Sequence, residues 1–513
     1  MMRPGTILGL ARHEARLGWR DWLWLITGGF RRRAVTSGLV FIFFMLFLHA
    51  VAYVLLGKSA DLADAADEHA LVVITGTLLM SSSLMLSQAL ESVTRGFYAR
   101  GDLDLILSSP LSAGRLFAVR TVAMAAAVAL QSMVLAAPFV NVLIWRDGVH
   151  WLGAYAVTLA LAMGAVAISV VVTVALFRVI GPRRTRTVAQ ILAAIIGAAF
   201  VIAAQFAAIL SFGSMSRAEA LRSAALERIA PDLDSLLWWP ARAAMGGEPA
   251  LAAILGLSIV MLGGTILVFA PHFGPLALAA GGASHAVSSR RHRRARLHAS
   301  APAQALRRKE WILLLRDPWL MSQTLMQLLY LLPPAFFLWH SFYGGGDASG
   351  LLVPVLIMAA GQLGGGLAWL AVSGEDAPDL VATAPVSRVR VLRAKIEAVL
   401  GGIVIVFSPF VVALALFSPF AALAAALGVA ISAGSATAIQ FWFRTQARRS
   451  LFRRRQVSSR LATFAEALSS IGWAGTGALA ATGTWLAVIP GVVVLAILGG
   501  TWLISPFRSP API

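Results

Sequence analysis

All-α and polytopic, with about twelve transmembrane helices arranged as two six-helix repeats: this architecture follows from three features of the 513-residue chain. It is 59% hydrophobic and 13% charged, with a mean hydropathy of +0.80, whereas a soluble domain carries about 25% charged residues. So few charges leave most of the surface for lipid to cover. Its apolar runs are long enough to cross about 30 Å of hydrocarbon as helices, and they are continuous rather than alternating, which selects helices over a barrel. Its charges also alternate in position. With a cytoplasmic N-terminus, only Lys58, Arg146, Arg217, Arg222, Arg228 and Arg242 of the 42 Lys and Arg fall on external loops, and none falls within a span, as the positive-inside bias requires.

The spans are expected near 35–56, 70–90, 121–144, 152–176, 188–212 and 250–270, then near 320–340, 351–372, 396–417, 421–442, 463–482 and 487–504. The basic start runs to Arg33, too long for the leading region of a signal peptide, although Ala50-Val51-Ala52 mimics a cleavage site. The first apolar run therefore reads as a retained anchor. External loops gather acids: Asp61, Asp64, Asp67 and Glu68 after the first span, then Glu219, Glu227, Asp232 and Asp234 after the fifth. Trp238-Trp239-Pro240, late in the external loop 213–249, suits an aromatic anchor at the membrane interface. Pro333-Pro334 is expected to kink the seventh span, and tight turns fall near 418–420 and 483–486.

The domain plan is a first six-helix half over 1–272, a basic cytoplasmic linker over 273–302, and a second six-helix half over 303–513. The linker's run Arg290-Arg291-His292-Arg293-Arg294 fits a stop-transfer flank that also touches anionic lipid headgroups. The net charge of +19 does not call for nucleic acid, because no aromatic residue interleaves with that run. Cysteine is absent, so there is no disulfide framework and no Cys metal site.

The halves repeat in three places. Before the first span, Glu14 is followed by Arg20 and Asp21; after the linker, Glu310 is followed by Arg316 and Asp317 at the same spacing. On a helix, residues seven apart share a face, so each Glu lies above its Asp. Arg12, Arg16 and Arg20 add a basic stripe and Ile7, Leu10 and Leu17 an apolar one, which reads as an amphipathic helix on the cytoplasmic membrane surface. Between the second and third spans of each half, Asp104, Pro110, Ser112, Arg115 and Arg120 recur as Asp379, Pro385, Ser387, Arg390 and Lys395, each 275 residues on. Pro110 and Pro385 should each mark the start of a new short polar helix at the cytoplasmic rim, with Ser112 and Ser387 as caps. After the fourth span of each half, Arg184, Arg186 and Val188 recur as Arg453, Arg455 and Val457.

Catalytic chemistry finds no support. Gly57-Lys58-Ser59 resembles the end of a phosphate-binding loop, but Ala52 stands where that loop needs Gly. The nine His show no metal-ligand spacing, and no Ser sits on a nucleophile elbow. Neither an enzyme nor a cofactor is expected. Among acids, only Glu397 and Glu466 fall inside spans, both near cytoplasmic ends, where snorkelling to the rim is the expected role.

Together these features resemble type-2 ABC exporter permeases, in a form with two fused permease halves. The resemblance is carried by Arg12-His13-Glu14 through Arg20-Asp21 and its copy Arg308-Lys309-Glu310 through Arg316-Asp317-Pro318. It is carried also by Gly101-Asp102-Leu103-Asp104 through Pro110-Leu111-Ser112, by Gly374-Glu375-Asp376 through Asp379 and Pro385-Val386-Ser387, and by Trp238-Trp239-Pro240. It implies a bacterial inner-membrane subunit, multi-pass with both termini cytoplasmic, that exports a substrate by pairing with a separate ATP-binding cassette ATPase in two copies. Carried over, Glu14, Arg20, Asp21, Asp102, Asp104, Pro110 and Arg115 form one ATPase-docking surface. Glu310, Arg316, Asp317, Glu375, Asp376, Asp379, Pro385 and Arg390 form the other. The second half departs from the family in lacking the long external loop. A twelve-helix secondary transporter and a non-transporting membrane scaffold are the alternatives.

Overall fold

The structure is a computed structural model. It describes residues 7–27, 34–56, 68–98, 112–212, 232–285, 301–316, 349–373, 383–443, 460–481 and 483–505, with 325, 329 and 381. The regular elements among the described residues are all helical, and eight helices are long and apolar enough to cross a membrane. The chain is therefore a multi-pass membrane protein of all-α class. It divides into two compact units, Met1–Ser288 and Ser289–Ile513.

The first unit contains α1 (Ile7–Thr27), α2 (Ala34–Leu56), α3 (Glu68–Tyr98), α4 (Ala113–Asp147), α5 (Gly153–Ile180), α6 (Pro182–Phe212), the short α7 (Trp239–Ala244), α8 (Glu248–Phe269) and α9 (Phe273–His285). The second contains α10 (Pro302–Arg316), α11 (Ser349–Ser373), α12 (Arg388–Ala415), α13 (Pro419–Phe443), α14 (Arg460–Ala481) and α15 (Val488–Ile504). The eight membrane-length stretches are 70–97, 113–147, 149–180, 248–279, 352–372, 388–415, 419–443 and 485–503. They overlie eight of the twelve expected spans. α2, α6 and α14 overlie the first, fifth and eleventh, whereas the seventh, with Pro333-Pro334, falls almost wholly outside the described residues.

Composition explains the connections. α12 ends at Ala415 and α13 starts at Pro419, whose missing N–H costs nothing at a helix start. Ser418 Oγ accepts from the backbone N–H of Ala421, 3.2 Å away, and so caps α13. The second expected tight turn forms at Gly483, whose φ of +70° lies in the left-handed region that glycine tolerates.

In the first unit, Phe97 of α3, Phe117 of α4 and Phe273 at the start of α9 meet, with ring centroids 5.4 Å apart for Phe97–Phe273 and 5.2 Å for Phe117–Phe273. Phe273 and Ala277 are buried in that core. This corrects the linker: 273–285 is not a basic tether but a helix packed on the first unit, held by apolar side chains that precede the basic run.

A second correction concerns the tandem tryptophans. Trp238 is only 4% exposed and packs with Ala70, Leu71, Trp151, Ala241 and Met245, while its indole N–H donates to the Asp232 carbonyl at 3.2 Å. The chain turns back at Ser235 and drives this ring inward, so Trp238 is a core residue rather than an anchor in the membrane interface. The following α7 lies so close to α5 that a Cβ on Gly153 would overlap the carbonyl oxygen of Ala243. Gly153→Ala is expected to cost about 1–3 kcal/mol through overpacking, read as a lower unfolding midpoint in the purified chain; an unchanged midpoint would mean that α7 moves freely there.

Candidate functional site

Two matching ties stand out, one per unit. α1 lies against α4 and keeps Arg12, Arg16 and Arg20 exposed, while Leu10, Glu14 and Leu17 share its more buried face. α4 begins after Ser112, and its first two turns bury Leu116, Phe117 and Arg120. Arg120 Nε lies 3.2 Å from Glu14 Oε1, and the two side chains are 5% and 10% exposed. A carboxylate on an apolar helix face is costly without a partner, and this guanidinium supplies one.

The second unit repeats the arrangement with different chemistry. Glu310 of α10 is 0% exposed, and Lys395 Nζ of α12 lies 3.1 Å from its Oε2. Lys309 Nζ lies 3.4 Å from the other oxygen. Lys395 also donates to the carbonyl of Ala371, in the last turn of α11, where backbone acceptors lack intrahelical donors. One ammonium therefore ties α10, α11 and α12 together. Beside it, Glu397 takes hydrogen bonds from Arg307 of α10 and from Arg393, the latter at 3.1 Å, so this acid is a rim clasp between α10 and α12.

The expected site residues fall into three groups. Glu14 and Glu310 are turned inward and hold helices together; Glu310 has no surface to offer a partner. Arg20, Arg115, Pro385 and Arg390 are exposed. The side chains of Asp21 and Arg316, and the whole of Asp102, Asp104, Pro110, Asp317, Glu375, Asp376 and Asp379, lie outside the described residues. Arg120 and Lys395 recur in the sequence but did not figure among the site residues. The signal that finds them is a basic residue two turns inside a long apolar helix, where a charge needs a partner.

The cap reading needs a local correction. Ser112 and Ser387 stand at the N-cap positions of α4 and α12 in extended backbone conformations, but neither side chain makes a capping hydrogen bond. No separate short helix follows either. With no breaker before Pro138 or Pro409, each polar start runs unbroken into a membrane-length helix. A surface contact at Arg115 or Arg390 is thus rigidly continuous with the span behind it.

Searches of family models, curated proteins and solved structures return no match for this chain.

Proposed function

We propose that the chain is the membrane-spanning permease subunit of an ATP-driven ABC exporter, worked by a separate ATPase in two copies and set in a bacterial inner membrane with both termini cytoplasmic. The observation that carries this reading is the paired buried tie: a surface helix preceding a span is bolted by an acid–base pair to the first turns of a long helix, once in each unit. A helix fastened this way moves with its partner, so force applied to the exposed stripe of α1 passes into α4 through Glu14–Arg120. Force on α10 passes into α12, and through the Ala371 carbonyl into α11. Arg20, Arg115, Arg390 and Pro385 are the described parts of the docking surfaces. Asp21, Asp102, Asp104, Pro110, Arg316, Asp317, Glu375, Asp376 and Asp379 complete them, and Glu14 and Glu310 position them. For the basic run 290–294, which lies outside the described residues, the proposed partner is anionic lipid headgroups.

The test is co-purification with the ATP-binding cassette protein encoded beside this chain. Arg20→Glu combined with Arg115→Glu is expected to weaken that complex about tenfold, roughly 1.4 kcal/mol, without lowering the unfolding midpoint of the permease. Transport that survives ATP depletion but stops when the proton gradient collapses would instead establish the rival secondary transporter. That rival is favoured by one observation, the carboxyl group of Glu466.

A further inference from the structure

Glu466, itself half-buried, lies on the face of α14 that also carries the buried Ala462, Ser469 and Ser470. Its carboxyl group fills the space left by the absent side chain of Gly365 on α11; a Cβ there would overlap both carboxyl oxygens. From α13, the Gln440 side-chain amide donates to Glu466 Oε2 at 2.6 Å. The carboxyl group is thus held where α11, α13 and α14 meet.

Among the described residues, the charges around it are few. α14 packs against α11, α13, α15 and the short 3₁₀ turn Trp485–Ala487. None of those four elements contains Asp, Glu, His, Lys or Arg. The other charged residue of α14 is Arg460, six positions earlier and nearly two turns away. No described Lys or Arg forms an ion pair with Glu466. An ionised carboxylate between apolar helices that pairs with no described cation is strongly disfavoured, and neutralisation is the ordinary escape.

We infer that Glu466 is a proton-binding site within the second unit, with Gln440 as its hydrogen-bond partner and Gly365 as the small residue against which its carboxyl group packs. The proton sits on Oε1, leaving Oε2 to accept from the Gln440 amide. A proton fits better than an alkali cation because oxygen ligands are scarce. Gln440 presents its N–H rather than its carbonyl, and the Ser470 hydroxyl is spent on the backbone carbonyl of Glu466 at 2.8 Å. One turn along α11 from Gly365, at Gly361, the Ser432 and Ser470 hydroxyls converge, and the buried Ser432 hydroxyl makes no hydrogen bond. It supplies a polar atom next along the same helix face. The site stands on this geometry alone and does not depend on which energy source drives the chain.

The experiment is infrared difference spectroscopy on the full chain in lipid nanodiscs at neutral pH, reading the carbonyl band of protonated carboxylic acids. The wild type is expected to show such a band, shifted in heavy water, absent in Glu466→Gln and moved to higher frequency in Gln440→Leu, which removes the hydrogen bond. Glu466→Gln is expected to keep the wild-type unfolding midpoint, since an amide mimics the neutral acid. A band that persists unchanged in Glu466→Gln, or that does not move in Gln440→Leu, overturns the assignment. So does the loss of the band on adding sodium chloride at constant pH, which would make the occupant an alkali cation. Gln440→Leu alone suffices where Glu466→Gln cannot be purified.

Discussion

Lys395→Met is expected to destabilise the purified chain by about 3–5 kcal/mol, the usual cost of stranding a buried charge, read as a large drop in the unfolding midpoint in lipid. The substitution removes the 3.1 Å partner of a fully buried carboxylate and also the donor to the Ala371 carbonyl. Lys309 lies 3.4 Å from the opposite Glu310 oxygen but is itself a third exposed, so its hold is weaker. Adding Glu310→Gln to Lys395→Met should recover most of the loss, because the orphaned charge is then gone. The residual deficit reports the unfilled Ala371 carbonyl. In the first unit, Arg120→Met should behave the same way but less severely, since Glu14 keeps 10% of its side chain exposed and water remains within reach. If the Lys395→Met and double variants melt alike, the pair carries no coupling and the tie is only proximity.

The ties also show how much of the site the sequence carried. Both Glu residues and both basic partners are visible as recurring positions, because the spacing within each helix start is legible whether or not its contacts are known. Their pairing was not visible. Arg120 and Glu14 are 106 residues apart, Lys395 and Glu310 are 85 apart, and nothing local in either segment says that a stripe of α1 faces α4. An acid seven residues from a second acid on an amphipathic helix reads equally well as a surface group. What distinguishes Glu14 is that Leu10 and Leu17 flank it on one face, a pattern that favours an inward carboxylate with a partner.

The spans were legible for a different reason. Their signal is a continuous apolar run, which needs no tertiary information. Pro419 and Gly483 mark turns through their own backbone limits. Trp238 and Glu466 escaped the same reading because amphipathic and charged side chains at a helix end fit the membrane rim by composition alone. Only neighbours decide otherwise: Trp151 and Leu71 in one case, Gly365 and Gln440 in the other. The segment 273–285 is illegible locally because the phenylalanines that Phe273 meets, Phe97 and Phe117, lie far from it in the sequence.

Gly477→Ala in α14 is expected to destabilise the second unit by about 1–3 kcal/mol, and Ile357→Val to reverse most of that loss. Ile357 of α11 is fully buried, and its Cδ1 occupies the space that a Cβ on Gly477 or on Gly428 of α13 would need. Helices in lipid gain little from hydrophobic transfer between them, so close packing on small residues carries much of their association. Valine lacks only that Cδ1 atom, and the next atoms facing a Gly477 Cβ are Val353 Cγ1 at 3.5 Å and Ile357 Cγ1 at 3.6 Å, ordinary contact distances. Ile357→Val by itself should cost about 0.5–1.5 kcal/mol. Gly428→Ala tests the geometry from the other side. There Ile357 Cγ1 lies 2.6 Å from the new Cβ, and valine keeps that atom. Ile357→Val should therefore rescue Gly477→Ala and leave Gly428→Ala impaired. Equal rescue of both, measured by unfolding midpoint in lipid, would mean that α11 shifts to make room and that Ile357 is not the wedge between α13 and α14.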